Sequence, residues 1–204
     1  MMTDAEMASL LRGGTAVLAL DTNVITCPRK DGRLSFNPFL DICDLVDRIG
    51  STPTGPRIRV VVPASVHFEV LHDLRLSKGS SFNLELVRNP LKSKGVDVLA
   101  FDEESAELAS GELAQWCADS EVWRQRKKQH CLSALGLADA PGHGLATIDW
   151  LLATEAEARG WLLVTDDQGP EFADVDRKVK RTRLAGLLIE LARSIPIPDS
   201  SHLP

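Results

Sequence analysis

The side chains best placed for chemistry are the carboxylates of Asp21, Glu69, Asp149 and Asp167, the last preceded by Asp166. Asp21 closes the apolar run Ala16 to Leu20, and Asp166 and Asp167 follow Thr165 just past the apolar run Trp161 to Val164. Glu69 falls within two turns of the start of a helical pattern, and Asp149 opens another. Carboxylates gathered from separate elements raise one another's pKa unless a cation compensates them. Hard oxygen donors select Mg2+ or Mn2+. Such an ion can orient a water, lower its pKa and stabilise the departing oxygen of a phosphodiester. The pattern therefore points to metal-dependent nuclease chemistry.

The elements that must position these acids can be read from periodicity. In DWLLATEAEARGWLLVTDD, Asp149, Leu152, Ala153 and Ala156 recur at steps of three and four, which predicts a helix with one apolar face and a carboxylate at its start. Gly160 stands where a glycine stops a helix. Trp161 to Val164 is too short for a helix and apolar throughout, as expected of a strand covered on both faces in a parallel sheet. Ligands of open parallel sheets bind at the carboxyl ends of the strands, where Asp21 and Asp167 fall.

Along the rest of the chain, residues 3–12 predict a helix stopped by Gly13-Gly14, with Thr3 or Asp4 as its cap. Pro28 to Arg33 reads as a charged turn and Phe36 to Ile49 as a helix. Arg57 to Val62 is a second buried strand, and Pro63-Ala64-Ser65 starts the helix that carries Glu69. A helical stretch over 82–88, a strand from Val96 to Phe101 and, after Asp102-Glu103-Glu104, an amphipathic helix to about Ala118 follow. Glu121 to Gly142 lacks a clear pattern and reads as an insertion with a basic cluster. Beyond Gln168-Gly169-Pro170, Lys178 to Thr182 suggests an edge strand and Leu184 to Ala192 a terminal helix, before a proline-rich tail over 195–204. Helices alternating with short buried strands imply an α/β three-layer sandwich around a mostly parallel sheet of about four or five strands.

A formal charge of −6 argues against coating nucleic acid by bulk charge, although it leaves room for local basic patches such as Arg177 to Arg183. Cys27, Cys43, Cys117 and Cys131 form no CxxC pair, so neither a zinc site nor a disulfide framework is indicated. Acids near the N-terminus, and no apolar run approaching the roughly 18 residues of a membrane span, lead to the expectation of a cytoplasmic chain without a membrane partner. His67 and His72 are spaced five apart, so one helix face does not present both for zinc.

Three stretches carry a family resemblance. LALDTNVI, VVPASVHFEV and DWLLATEAEARGWLLVTDD, in this order, resemble the signature regions of the PIN domain family, metal-dependent nucleases that include the VapC-like toxins. The resemblance implies a central parallel sheet between helices and Mg2+ or Mn2+ held by Asp21, Glu69, Asp149 and Asp167, with Asp166 as a further candidate and Asn23 and Thr165 as polar supports. Read from the residues alone, Asn23 could equally cap a helix or shape a turn, and Thr165 could bond nearby backbone. The resemblance further implies an RNA substrate, an antitoxin protein as partner and self-pairing into a homodimer. It divides the chain into a helical extension over 1–14, a nuclease domain over 15–194 with insertions near 77–95 and 117–142, and a tail over 195–204.

Two other functions fit parts of the sequence. A haloacid dehalogenase-type phosphatase would use Asp21, Ser65 and the Asp166-Asp167 pair, but it needs an acid where Asn23 stands and leaves Asp149 without a task. A non-catalytic PIN-like module would keep the acids and serve only to bind a partner.

Overall fold

The computed structural model describes residues 2–28, 34–116 and 146–195. Its centre is a five-stranded, all-parallel sheet of β1 (Val17–Leu20), β4 (Arg59–Pro63), β5 (Asp97–Leu99), β6 (Leu162–Val164) and β7 (Lys178–Val179), in the order β5-β4-β1-β6-β7. Leu18, Ala19, Leu20, Val61, Val62, Leu162, Leu163 and Val164 are all fully buried. Successive strand residues point to opposite faces. Burial of consecutive residues in β1, β4 and β6 therefore means that helices cover the sheet on both sides, which makes the fold an α/β three-layer sandwich as anticipated.

The covering helices are α1 (Asp4–Arg12), the single-turn α2 (Thr22–Ile25), α3 (Asn37–Gly50), α4 (Ala64–Lys78), α5 (Glu85–Ser93), α6 (Glu103–Trp116), α7 (Ala146–Ala158) and α8 (Arg181–Ser194). Helix α3 packs on α8, with α1 beside α8, while α6 packs on α7, with α4 beside α7. Thr3 caps α1 in a reciprocal pair with Glu6. Helix α7 buries Leu152, Ala153 and Ala156, the stripe expected from spacing. It ends as Gly160 takes φ +64°, with Gly160 N–H donating to Glu157 and Trp161 N–H to Ala156.

Some boundaries differ from those expected. Cys27–Pro28 (β2) pairs antiparallel with Leu34–Ser35 (β3), a small hairpin whose two-residue strands are too short to carry a period. Helix α5 runs to Ser93 with Pro90 inside it, although a proline there removes a backbone bond. Val87 and Leu91, one turn apart on either side, lie in the main core, and their burial holds the helix together. Part of the stretch read as an insertion near 77–95 thus supplies core residues. The other insertion, 117–142, lies outside the described residues, as does the tail beyond Ile195. No helix among the described residues is long and apolar enough to cross a membrane.

Candidate metal centre

Strands β1 and β6 lie side by side and end together, so the residues just past them meet at the carboxyl edge of the sheet. Asp21 N–H extends the ladder to Val164 O at 3.0 Å. Its side chain is buried and held from three directions. Oδ1 accepts from Thr22 N at 2.6 Å, while Oδ2 accepts from Thr165 Oγ1 at 2.6 Å and from Asn23 Nδ2 at 2.7 Å. Asn23 also accepts from Asp166 N at 3.1 Å, and Thr165 Oγ1 accepts from Asp167 N at 2.9 Å. These bonds tie the end of β1 to the turn after β6. The single carboxylate that all of them serve is that of Asp21.

Glu69 reaches the same place from the second turn of α4, and Asp149 from the first turn of α7, because those two helices pack together. Asp21, Glu69 and Asp149 each offer a carboxylate oxygen, and the three oxygens lie within 4.8 Å of one another. Among the described residues this is the group of acids, histidines or cysteines able to hold a metal ion. Asp167 stands outside this set. Its Oδ1 accepts from Gln168 N at 2.7 Å and Gly169 N at 3.2 Å, yet its charge is felt by all three members. Asp166 turns away. Its carboxylate pairs with the Arg181 guanidinium at 2.9 Å and accepts from Arg181 N at 3.1 Å, so it serves the start of α8.

Two contributors are not among the residues singled out from the sequence. Thr22 Oγ1 donates to Glu69 Oε2 and so links the β1 end to α4 across 47 residues. A threonine beside a strand-end aspartate was the available signal. Glu171 is buried, and its charge acts on Asp149 more strongly than that of Asp167. It lies in a short 3-10 turn without periodicity, so nothing in the pattern marks it. Its carboxylate covers Gly169, where a Cβ would come within 2.1 Å of Oε2.

The crowding shows in the electrostatics. Burial pushes the Asp21 carboxyl up to about 6 against the hydrogen bonds from Thr165 and Thr22, with Glu69 and Asp167 adding repulsion. Asp149 is pushed up to about 8, first by burial and then by the charges of Asp21, Glu69, Glu171 and Asp167. Glu69 is raised chiefly by burial, opposed by the bond from Thr22. Such a set is unfavourable with every member ionised, and a divalent cation among hard oxygens relieves it. The donor set fits Mg2+ or Mn2+ and lacks the nitrogen and sulfur ligands of a typical structural zinc site.

Thr165 provides a direct check on this wiring. Thr165→Val keeps the side-chain shape but strips a donor from Asp21 and an acceptor from Asp167 N. Urea unfolding should show a loss of about 1–3 kcal/mol, the usual cost of leaving buried polar groups unsatisfied. Unchanged stability would mean that these bonds do not hold the strand ends together.

No known protein-family profile matches the sequence, and no curated protein matches it. Among solved structures, the chain is similar to VapBC2 from Rickettsia felis bound to a DNA fragment from their promoter. Sequence identity is 13% over 80% of this chain and 96% of that one, with a TM-score of 0.44.

Proposed function

We propose that this chain is a nuclease dependent on Mg2+ or Mn2+ that cuts RNA internally. The observation behind the reading is that Asp21, Glu69 and Asp149, distant along the chain, bring oxygens within 4.8 Å of one another at the carboxyl edge of a parallel sheet. Asp21, Glu69 and Asp149 would hold the ion, with Asp167 adding charge beside them. When bound, the ion supplies an activated water and stabilises the departing oxygen of the phosphodiester.

The chain's own residues do the positioning. Thr22 N–H, Thr165 and Asn23 fix the Asp21 carboxylate before any substrate arrives, which limits reorganisation at the reacting centre. Thr22 does the same for Glu69. Asn23 works as a brace between strand ends. A phosphatase of the haloacid dehalogenase type would need a proton donor there, and an amide does not serve as one. The motif resemblance extends the proposal to a toxin restrained by an antitoxin protein and to self-association as a homodimer.

The test is cleavage of a short single-stranded RNA by the purified chain. Internal cuts should appear with Mn2+ or Mg2+ and vanish in EDTA. Cleavage at the same rate in EDTA would overturn the reading.

A further inference from the structure

Helix α4 buries Val66, Val70 and Leu74 at steps of four, and its outward face repeats Phe68, His72 and Leu76 at the same step. Phe68 is 56% exposed and Leu76 72%, the highest values for large apolar side chains among the described residues. A lone exposed apolar side chain is ordinary. Phe68 is not alone, because its ring stacks with that of His72, the centroids 6.2 Å apart and the planes 19° from parallel, and both residues are open to water. The pair brackets Glu69 in sequence, and His72 is near enough for its charge to act on Glu69. An exposed ring surface thus adjoins one of the three converging acids.

Cations continue the same face. The Arg75 guanidinium lies over the Phe82 ring, 4.7 Å from its centroid, which fixes the group by its flat side and leaves its edge N–H donors to other partners. Arg75 and Lys78 are exposed and have no acidic partner among the described residues. Asp73 lies beside His72, with 3.8 Å between its carboxylate and Nδ1. Arg75 follows Phe68 by two turns, about 10 Å along the helix axis. A ring platform and then a guanidinium suit a strand that alternates bases with phosphates. A protein partner finds less here, since the apolar stripe is one residue wide and interrupted by His72, whereas a base needs only one ring face.

We infer that the Phe68–His72 pair is a stacking platform for one unpaired base of an RNA strand lying across the acidic centre, with Arg75 holding a phosphate further along that strand. The assignment rests on the nuclease reading for its substrate. It narrows that substrate to single strands, whose unstacked bases have faces to offer. The acidic centre repels a polyanion, and a chain with a net charge of −6 needs a local source of attraction beside it.

Anisotropy of a fluorescent ten-nucleotide single-stranded RNA, measured with the full chain in EDTA over a salt series, tests the assignment without cleavage. Phe68→Leu keeps an apolar side chain and removes the ring face. It should weaken binding roughly 10-fold at about 0.1 M salt and leave the slope of log affinity against log salt unchanged. Phe68→Trp should bind at least as tightly as the wild type, and Arg75→Gln should lower the slope by about one. Ile189→Ala, at an exposed apolar position on α8, should match the wild type in both affinity and slope. Wild-type affinity in Phe68→Leu would overturn the assignment, as would a wild type that binds no RNA or binds the duplex form of the same sequence equally well. Should Phe68→Leu instead turn a dimer into a monomer by light scattering, with RNA binding intact, the face belongs to a second copy of the chain and the platform falls. RNA binding through Phe68 without any cleavage in Mn2+ would sink the nuclease reading and leave the platform standing.

Discussion

Asp149→Asn should lower Mn2+-dependent RNA cleavage by on the order of 1,000-fold while making the metal-free protein more stable. Asparagine has almost the same shape as aspartate, carries no charge and is a poorer ligand for a hard cation. A metal ion contributes several kcal/mol to stabilising the charge that develops in such a displacement, and each 1.36 kcal/mol is a factor of ten in rate. The opposite effect on stability follows from where Asp149 stands. Burial and the charges of Asp21, Glu69, Glu171 and Asp167 all disfavour its ionised form. Removing that charge should add about 1–3 kcal/mol to the metal-free fold, measured by urea unfolding in EDTA. Activity and stability moving in opposite directions rules out misfolding as the cause of inactivity. Wild-type cleavage by the variant would remove Asp149 from the reaction, and a less stable variant would contradict the crowding of charge.

Thermal stabilisation by Mn2+ should grow steeply with pH. The folded protein holds the Asp21 and Asp149 protons up to about 6 and about 8, whereas an unfolded chain releases them near 3.8. Both folded values are raised, so the stability these groups contribute is complete below pH 3.8. It declines as pH rises through about 6 and then about 8. Mn2+ competes with those protons, because ligating carboxylates must be ionised. At pH 5 the ion should therefore shift Tm little. Near pH 8, with Mn2+ at about 100 times its dissociation constant, it should add about 2.7 kcal/mol, or roughly 5–10 °C for a chain of this size. Scanning fluorimetry at several pH values, with and without Mn2+, gives the comparison. The difference between wild type and Asp149→Asn isolates the site from the other titrating groups. A shift of equal size at pH 5 and pH 8 would show that the ion binds somewhere other than these carboxylates.

Much of this arrangement could be read from local pattern. Strands buried on both faces must be apolar at every position, so Leu18 to Leu20, Val60 to Val62 and Leu162 to Val164 stand out as short unbroken runs. The residues that punctuate such runs are equally visible, which is why Asp21 and Thr165 could be placed at strand ends and Gly160 at a helix stop. Helix α7 announced its inward face by its spacing. Each of these features depends on whether a residue faces water, a property that periodicity records.

Choices among partners were not legible in the same way. Asp166 and Asp167 are neighbours of one chemical type, but only Asp166 meets Arg181, 15 residues on, because β7 and α8 return beside the end of β6. The bond from Thr22 to Glu69, the approach of Glu171 to Asp149 and the survival of α5 around Pro90 likewise depend on which elements the crossovers set side by side. The sequence by itself therefore determined a parallel α/β sandwich with acids at its strand ends and helix starts, since burial is written into local pattern. Which three of those acids converge was decided by tertiary structure alone, because a few ångströms between side chains from separate elements follow from how the chain returns across its sheet.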